Sequence, residues 1–437
     1  MAPVIGPLNL QHRVRRAHPL RVVMGWTSAR LARASAEELR RDQERRLRRL
    51  VRWAAVRSPF YRRWFAESGV DPRSIRSLSD LERLPLLQRR DLAERPEQFR
   101  AYPRRLMWAA HSSGTTGTPV TVYRTQGSSV YELSALERQW GWFGVRPGAR
   151  RAILRGSQFA AESGGLTKEV PGNNQMFVSS FHLEPQNLPA ILADLRVFGP
   201  EVIEAWPSSI TLLASLLRDV GERLPVAAVI TSSEVITAAQ QALMREVFSG
   251  PVVDHYGQTE RVAMAGSCDA GGYHVFPDYG IVELLPTGPQ RWEIVGTPLH
   301  NWGFPLFRYR TGDEVGPAPE GPCPCGRAFP SLGSIDGRVE DAFTAADGRT
   351  IPLPHSLIKN LTGVRETQVA QLAPGRFEFR LVPGPGFDAA AIESLARNNV
   401  ARFVGPDQTV TFQLMDRLPR GSSGKLKPTL VVRDQAG

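Results

Sequence analysis

Residues 112–119 read Ser-Ser-Gly-Thr-Thr-Gly-Thr-Pro: Ser112, Ser113, Thr115, Thr116 and Thr118 are small hydroxyl donors, and Gly114 and Gly117 permit unusual backbone angles. Converging backbone N–H groups with added hydroxyls form a concavity suited to phosphate. A Walker-type loop needs glycine followed by lysine and then serine or threonine, whereas Gly117 is followed by Thr118, Pro119 and Val120. The Val-Thr-Val-Tyr run beyond Pro119 reads as a strand and not as a helix start, so the loop is expected between strands. A flexible surface turn is the bland alternative for this composition.

Other chemistry-bearing residues follow in order. His-Tyr-Gly-Gln-Thr-Glu at 255–260 follows an apolar run, placing His255, Tyr256, Gly257, Gln258, Thr259 and Glu260 at a strand end, where α/β sheets carry their ligands. The Tyr256 ring can stack on a base or an aryl group, and the Glu260 carboxylate can hold a hard cation such as Mg2+ bridging phosphates. Tyr-Arg-Thr-Gly-Asp ends in Asp313, an acceptor for ribose hydroxyls, and Arg338 in Gly-Arg-Val-Glu-Asp can fork onto phosphate or ribose. Lys425 lies on a glycine-flanked Gly-Ser-Ser-Gly-Lys loop near the C-terminus, able to reach in and out. Taken singly, each has an ordinary reading as a turn or a solvated tail.

Cys268, Cys323 and Cys325 are all the cysteines of the chain, and with His274 they make a complete tetrahedral set for a closed, structural zinc ion. The alternative is three unrelated cytosolic thiols: the odd count argues against a pure disulfide framework, and Cys-x-Cys is less regular than Cys-x2-Cys. His182 and His255 remain; either can line a substrate pocket, although a lone histidine beside a strand is more often a packed structural residue.

Positioning these residues falls to a layered α/β domain. Strand-like runs at 151–155, 201–206, 226–232 and 251–257 alternate with helical stretches at 188–198 and 237–248, a pattern of substantial parallel pairing. Residues 1–100 read as mainly helical, 273–316 as β-rich, and the proline-rich 317–330 as a loop. Beyond Gly337, strand runs at 376–382 and 409–415 and a helix-like stretch at 388–404 suffice for a small α+β domain. The 437 residues, 42% apolar and 22% charged, belong to a globular chain. Such a length corresponds to roughly two to three domains.

The net charge of +11 raises nucleic acid or an acidic membrane surface as partner. Much of the excess lies within 37–63, where Leu39, Leu47, Leu50, Val51 and Ala54 recur at helical spacing, so an amphipathic helix with a solvated basic face is favoured over a nucleic-acid footprint. No membrane span or export signal is evident, and a cytoplasmic location follows.

The ordered set SSGTTGTP, YGQTE, YRTGD, GR with an acidic pair, and SGK resembles the adenylate-forming superfamily of acyl-CoA synthetases, adenylation domains and luciferases. RSPFYRRWF, LERLPLLQRRDL, HSSGTTGTP, YGQTE and the Cys-Pro-Cys-Gly-Arg segment make the chain most similar to its phenylacetate-CoA ligase and CapK-like branch. The resemblance implies a large N-terminal domain (1–336) and a small mobile C-terminal domain (337–437) that rotates between two half-reactions. It implies ATP phosphates on Ser112–Thr118, adenine beside Ser232, Ser233, Glu234 and Tyr256, Mg2+ on Glu260, ribose on Asp313, nucleotide contact by Arg338, and a hinge at Glu340 or Asp341. Lys425 would bridge carboxylate and α-phosphate, and Phe181, Trp206 and His255 would line the acid pocket. The activity implied is ATP-dependent activation of an aryl or small organic acid, with transfer to a thiol such as CoA. A carrier protein, an amine or another small nucleophile could replace CoA in secondary-metabolite or polysaccharide biosynthesis, and a homodimer is one arrangement compatible with the chain. Two departures stand out: Val120 where many relatives carry lysine, and Ser233 before Glu234 where the motif often reads Gly-Glu. The competing class is a basic nucleic-acid-binding protein in which the Gly/Ser/Thr loop is incidental.

Overall fold

The computed structural model describes residues 20–111, 120–155, 165–170, 172–338, 343–348, 350–351, 357–358, 361, 363–420 and 426–432. The chain folds as two compact units, Met1–Pro147 with Val253–Ile335, and Gly148–Val252 with Asp336–Gly437. Its mixed α/β character is as expected.

In the first unit, the helix Ala36–Arg57 starts at Ser35, whose side chain accepts from the Glu38 backbone while Glu38 reaches back, a capping box. Leu39, Leu47, Leu50, Val51 and Ala54 form its buried stripe as the spacing predicts. The single helix expected over 37–63 is in fact two. Pro59 lacks an amide hydrogen, so Ser58 ends the first helix, and Pro59 opens the second, Pro59–Ser68, where its missing donor costs nothing. The break turns Tyr61 and Phe65 into one core with Phe99, Phe304, Phe307 and Tyr309.

Met107–His111 and Thr121–Thr125 pair antiparallel, His111 opposite Thr121, so the 112–119 segment joins two antiparallel strands as anticipated. Val252–Gly257, Met264–Ser267, Tyr273–Val275 and Ser331–Leu332 follow as antiparallel neighbours. Gly280–Gly288, Arg291–Pro298 and Tyr309–Val315 form a further antiparallel set. Gln139, on the helix Gln126–Trp142, is fully buried and donates to the carbonyls of Asp254 (2.8 Å) and Ser267 (3.1 Å). Gly266 makes room for it, since a Cβ there would lie 2.4 Å from the Gln139 amide nitrogen.

In the second unit, Gln175–Val178, Arg151–Leu154, Val202–Ala205 and Ala228–Ser232 lie side by side in that order, all parallel, with Thr167–Val170 antiparallel on the outer edge. The helices Leu188–Phe198, Pro207–Asp219 and Ala238–Phe248 pack their apolar faces on these strands in one core. Residues 364–431 add strands Thr409–Leu414, Arg376–Pro383, Val364–Ala373 and Thr429–Val431 in that order, with the helix Ala389–Phe403. Phe343, Phe377, Phe379, Leu381, Ile392 and Val400 close a separate core there. Arg365 donates through Nε to Asp219 at 3.1 Å, and Arg417 lies 3.6 Å from Glu184. Among the described residues no helix is long and apolar enough to cross a membrane.

His300 of the first unit is buried between the rings of Tyr279 and Tyr131 and donates from Nδ1 to the Tyr279 carbonyl at 3.1 Å. Burial, aided by the Arg261 charge, lowers its pKa from 6.5 to about 4. The unfolded chain therefore takes up a proton near pH 6.5 that the folded chain refuses until about pH 4. Stability falls as pH drops through that window, by on the order of 3 kcal/mol at its lower end. His300→Gln should flatten that part of the stability–pH profile, measured by urea denaturation; an unchanged slope would remove His300 from the acid response.

Candidate functional site

In the first unit, the residues after the Val252–Gly257 strand meet the Tyr309–Val315 strand. The Tyr256 hydroxyl donates to Asp313 Oδ2 at 2.7 Å. Asp313 is buried, and its own N–H donates to Thr311 Oγ1 (3.1 Å) across the turn at Gly312, which stands at φ +73°. Glu260 is also buried, and its Oε1 accepts from the Tyr309 hydroxyl at 3.0 Å with Arg89 Nη1 at 3.9 Å. Its Oε2 is buried with no hydrogen-bond partner among the described residues, as are both amide atoms of the half-buried Gln258. A buried carboxylate oxygen without a donor is suited to a hard cation. Gly257 is exposed and Thr259 half-buried.

Three residues here were invisible in the sequence. Arg124 donates to the Thr259 carbonyl at 2.7 Å, tying the strand that leaves the 112–119 segment to the 256–260 segment. Arg89 reaches Glu260 because Leu87 is stitched beside Tyr309, its N–H on the Arg308 carbonyl (3.0 Å) and its carbonyl on the Arg310 N–H (2.9 Å). Tyr309 belongs to the buried core, and only its hydroxyl is functional in position. Nothing in the local pattern separates these from ordinary basic and core residues; partners distant in the sequence, 135 residues for Arg124 and 49 for Tyr309, give them meaning.

In the second unit, candidates gather where the parallel strands end. Half-buried Phe181 and His182 follow the Gln175–Val178 strand, with His182 Nδ1 2.7 Å from Ser179 Oγ. Trp206 follows Val202–Ala205 and is buried at the start of the helix Pro207–Asp219. Ser232 ends Ala228–Ser232, and its hydroxyl accepts from Arg155 Nη2 at 2.8 Å. Ser233 stands at φ +70°, a left-handed backbone that explains why a glycine often occupies the motif, and the side chain there costs about 1–2 kcal/mol. The Glu234 carboxylate accepts from the Ser208 N–H (2.8 Å) and hydroxyl (3.0 Å), placing a negative charge at the N-terminus of the Pro207–Asp219 helix. His255 is buried on its strand in the first unit.

Cys268, His274, Cys323 and Cys325 come together in the first unit with their ligand atoms all within 4.8 Å of one another. Cys268 Sγ and Cys323 Sγ are 3.7 Å apart, close to the edge of about 3.8 Å that a tetrahedron of zinc–thiolate bonds would require. His274 is fully buried and donates from Nδ1 to the Phe329 carbonyl at 2.8 Å, leaving Nε2 3.2 Å from Cys325 Sγ. Burial holds the imidazole below its ordinary pKa, which keeps it neutral and ligand-competent. The four donors therefore fit a structural zinc ion.

Ser112–Thr118, Lys425, Glu340 and Asp341 lie outside the described residues; the backbone of Arg338 ends the strand Ile335–Arg338.

No family model matches the chain. It is similar to the phenylacetate-coenzyme A ligase of Thermus thermophilus, 29% identical over 440 residues, which cover 91% of this chain and 97% of that protein. Protein CapK of Staphylococcus aureus is 19% identical over 279 residues, 62% of each chain. Among solved structures, 2-hydroxyisobutyryl-CoA ligase in the postadenylation state with 2-HIB-AMP matches with a TM-score of 0.71 and 21% identity over 93% of this chain and 92% of that one. The anthranilate CoA ligase AuaEII with anthranoyl-AMP matches with a TM-score of 0.52 and 15% identity over 75% and 67%. Along nearly its whole length the chain is thus similar to a phenylacetate-coenzyme A ligase, and its fold is that of the solved 2-hydroxyisobutyryl-CoA ligase.

Proposed function

We propose that the protein is an AMP-forming acid–thiol ligase that activates an aryl or small organic acid with ATP and passes the acyl group to CoA. The observation that carries this is the hydrogen bond to the buried Asp313 from Tyr256, on the same 256–260 segment that carries the buried Glu260 and is tied through Arg124 to the strand leaving the Gly/Ser/Thr segment. A carboxylate is a poor electrophile until one of its oxygens can leave. In the first half-reaction that oxygen attacks the α-phosphorus, the bond to the β-phosphate breaks and pyrophosphate departs. In the second, a thiolate attacks the acyl carbon and AMP leaves. The similarity to phenylacetate-CoA ligases, and to CoA ligase structures that hold acyl-AMP, supports both steps.

In this assignment Ser112, Ser113, Gly114, Thr115, Thr116, Gly117 and Thr118 cradle the ATP phosphates. Ser233, Glu234, Tyr256, Gly257, Gln258 and Thr259 surround the nucleotide, Asp313 holds the ribose and Arg338 adds a nucleotide contact. The Tyr256 hydroxyl donates to the Asp313 carboxylate and would hold it in place for the ribose hydroxyls. Glu260 would hold Mg2+, whose charge would neutralise the phosphates, and Arg89 adds a fixed positive charge beside it. Lys425 neutralises charge as the carboxylate meets the α-phosphate. Phe181, Trp206 and His255 are assigned to the acid. The division into 1–336 and a mobile 337–437 is supported by the separate core over 343–431. Cys268, His274, Cys323 and Cys325 would hold zinc as a brace for the 317–330 segment, in a cytoplasm that keeps thiols reduced.

Pyrophosphate release across aryl, fatty and amino acids, with and without CoA, tests the reading; salt-dependent nucleic-acid binding without ATP turnover would replace it. Lys425→Ala should lower ATP–pyrophosphate exchange by at least about 100-fold while sparing CoA capture of a preformed acyl-adenylate. Normal exchange in that variant would strip Lys425 of its role. Metal analysis of the purified protein should find one zinc per chain, lost in Cys268→Ser together with thermal stability, and a folded protein without stoichiometric zinc would sink the site.

A further inference from the structure

Glu260 stands between two residues that are tied to one stretch of chain. Thr259, before it, gives its carbonyl to Arg124 at 2.7 Å. Arg261, after it, is buried; it donates from Nη1 to Ser129 Oγ at 3.1 Å and pairs through Nη2 with the Glu132 carboxylate. Arg124 lies on the strand Thr121–Thr125, and Ser129 and Glu132 lie on the helix Gln126–Trp142 that follows it directly. Thr125 caps that helix, its hydroxyl accepting from the Ser128 N–H at 3.1 Å. Ser129 and Glu132 are three positions apart and share one helix face, so a single side chain can engage both.

The backbone of Arg261 gives the tie its purpose. It stands at φ +56°, in the left-handed region, where a residue other than glycine persists only when its surroundings hold it. Its N–H closes a turn on the Gln258 carbonyl at 3.1 Å, with Thr259 and Glu260 at the centre of that turn. Past the turn Val262 is fully buried, and a Cβ at Gly296 would lie 2.6 Å from its Cγ2, so the chain has little room to shift on that side. Glycine would adopt the Arg261 backbone without strain. What arginine adds is the grip on Ser129 and Glu132.

We infer that Arg261, with Glu132 as its counter-charge, is the positioning residue for Glu260. It fixes the turn so that Glu260 keeps Oε1 on the Tyr309 hydroxyl at 3.0 Å and holds the buried Oε2 ready for a divalent cation. This rests on the ligase reading above and on the part that Glu260 takes in it. A ligand carboxylate fixed in advance loses less freedom when the cation and its polyphosphate arrive.

The test uses the full-length enzyme with α,β-methylene-ATP, titrated with Mn2+ and followed by electron paramagnetic resonance. Arg261→Gly should raise the Mn2+ dissociation constant at least about tenfold, the order that groups orienting a metal ligand contribute to affinity. Because glycine accepts φ +56°, that loss reports the side chain and not backbone strain. In ATP–pyrophosphate exchange the variant should need correspondingly more Mg2+, while CoA capture of a preformed acyl-adenylate, a step without polyphosphate, changes less than about threefold. Arg261→Lys should recover part of the affinity, since its ammonium can pair with Glu132 but has no fork to reach Ser129 as well, and Glu132→Gln should weaken Mn2+ in the same direction. If Arg261→Gly fails to fold, Arg261→Lys and Glu132→Gln carry the test. Variants that bind Mn2+ as tightly as the wild type overturn the inference and leave the ligase reading standing. Exchange and CoA capture lost in equal proportion also overturn it, making Arg261–Glu132 a pair for stability alone. A wild type that catalyses no exchange with any acid overturns the reading and the inference together.

Discussion

A single carboxylate taken entirely out of water organises the first unit. Asp278 is buried, and burial alone would raise its pKa; the Arg138 charge and fork, reinforced by Arg46 and Tyr131, outweigh that and hold it below the ordinary value. Arg138 makes two parallel bonds to it, Nη1 to Oδ2 and Nη2 to Oδ1, both 2.8 Å, while the Tyr131 hydroxyl donates to Oδ2 at 2.9 Å. Arg46 adds a bond to the Asp278 backbone carbonyl at 3.2 Å, and Arg138 reaches Ser28 Oγ at 3.0 Å. Three helices, Leu20–Leu31, Ala36–Arg57 and Gln126–Trp142, therefore converge on one anion. Removing a partner from such a site leaves a charge uncompensated and costs about 3–5 kcal/mol, so the helices hold a fixed register around residue 278.

That register is passed on to the candidate site. The Arg138 guanidinium lies over the rings of Phe276 and Phe329, 5.1 and 5.0 Å from their centroids, and the Phe329 carbonyl orients His274 in the cysteine–histidine cluster. From the same helix Gln139 grips the carbonyls of Asp254 and Ser267, fixing the strand that delivers Tyr256 and, beyond it, Glu260. The candidate nucleotide residues of the first unit and its candidate metal ligands are thus braced by one helix, side chain by side chain. Such support keeps a site's groups within a few tenths of an ångström of their working geometry.

The strands were legible because their apolar runs are short and bounded by glycine and proline, and the runs at 151–155, 201–206, 226–232 and 251–257 became strands within them. The cysteine–histidine cluster was legible because few residue types can bind zinc. The break at Ser58 was hidden by a helical pattern that continues through Pro59, although the proline itself marks it. Arg89 and Arg124 could not be singled out: in a chain with 54 lysines and arginines, a functional arginine differs from a solvated one only by its partner across the fold. Ser233 was noted as a departure from a motif, but its left-handed backbone is a property of the turn and not of the letters.

The two cores of the second unit have a thermodynamic consequence. Phe343, Phe377 and their neighbours close on themselves, Leu192, Ile210 and theirs do the same, and Arg365–Asp219 and Arg417–Glu184 are charged links between the two regions. Cooperativity follows shared apolar burial, and among the described residues the two regions form separate apolar clusters. Coupling between the two regions then leans on these ion pairs, of which the exposed Arg417–Glu184 pair is the one that added salt would screen most.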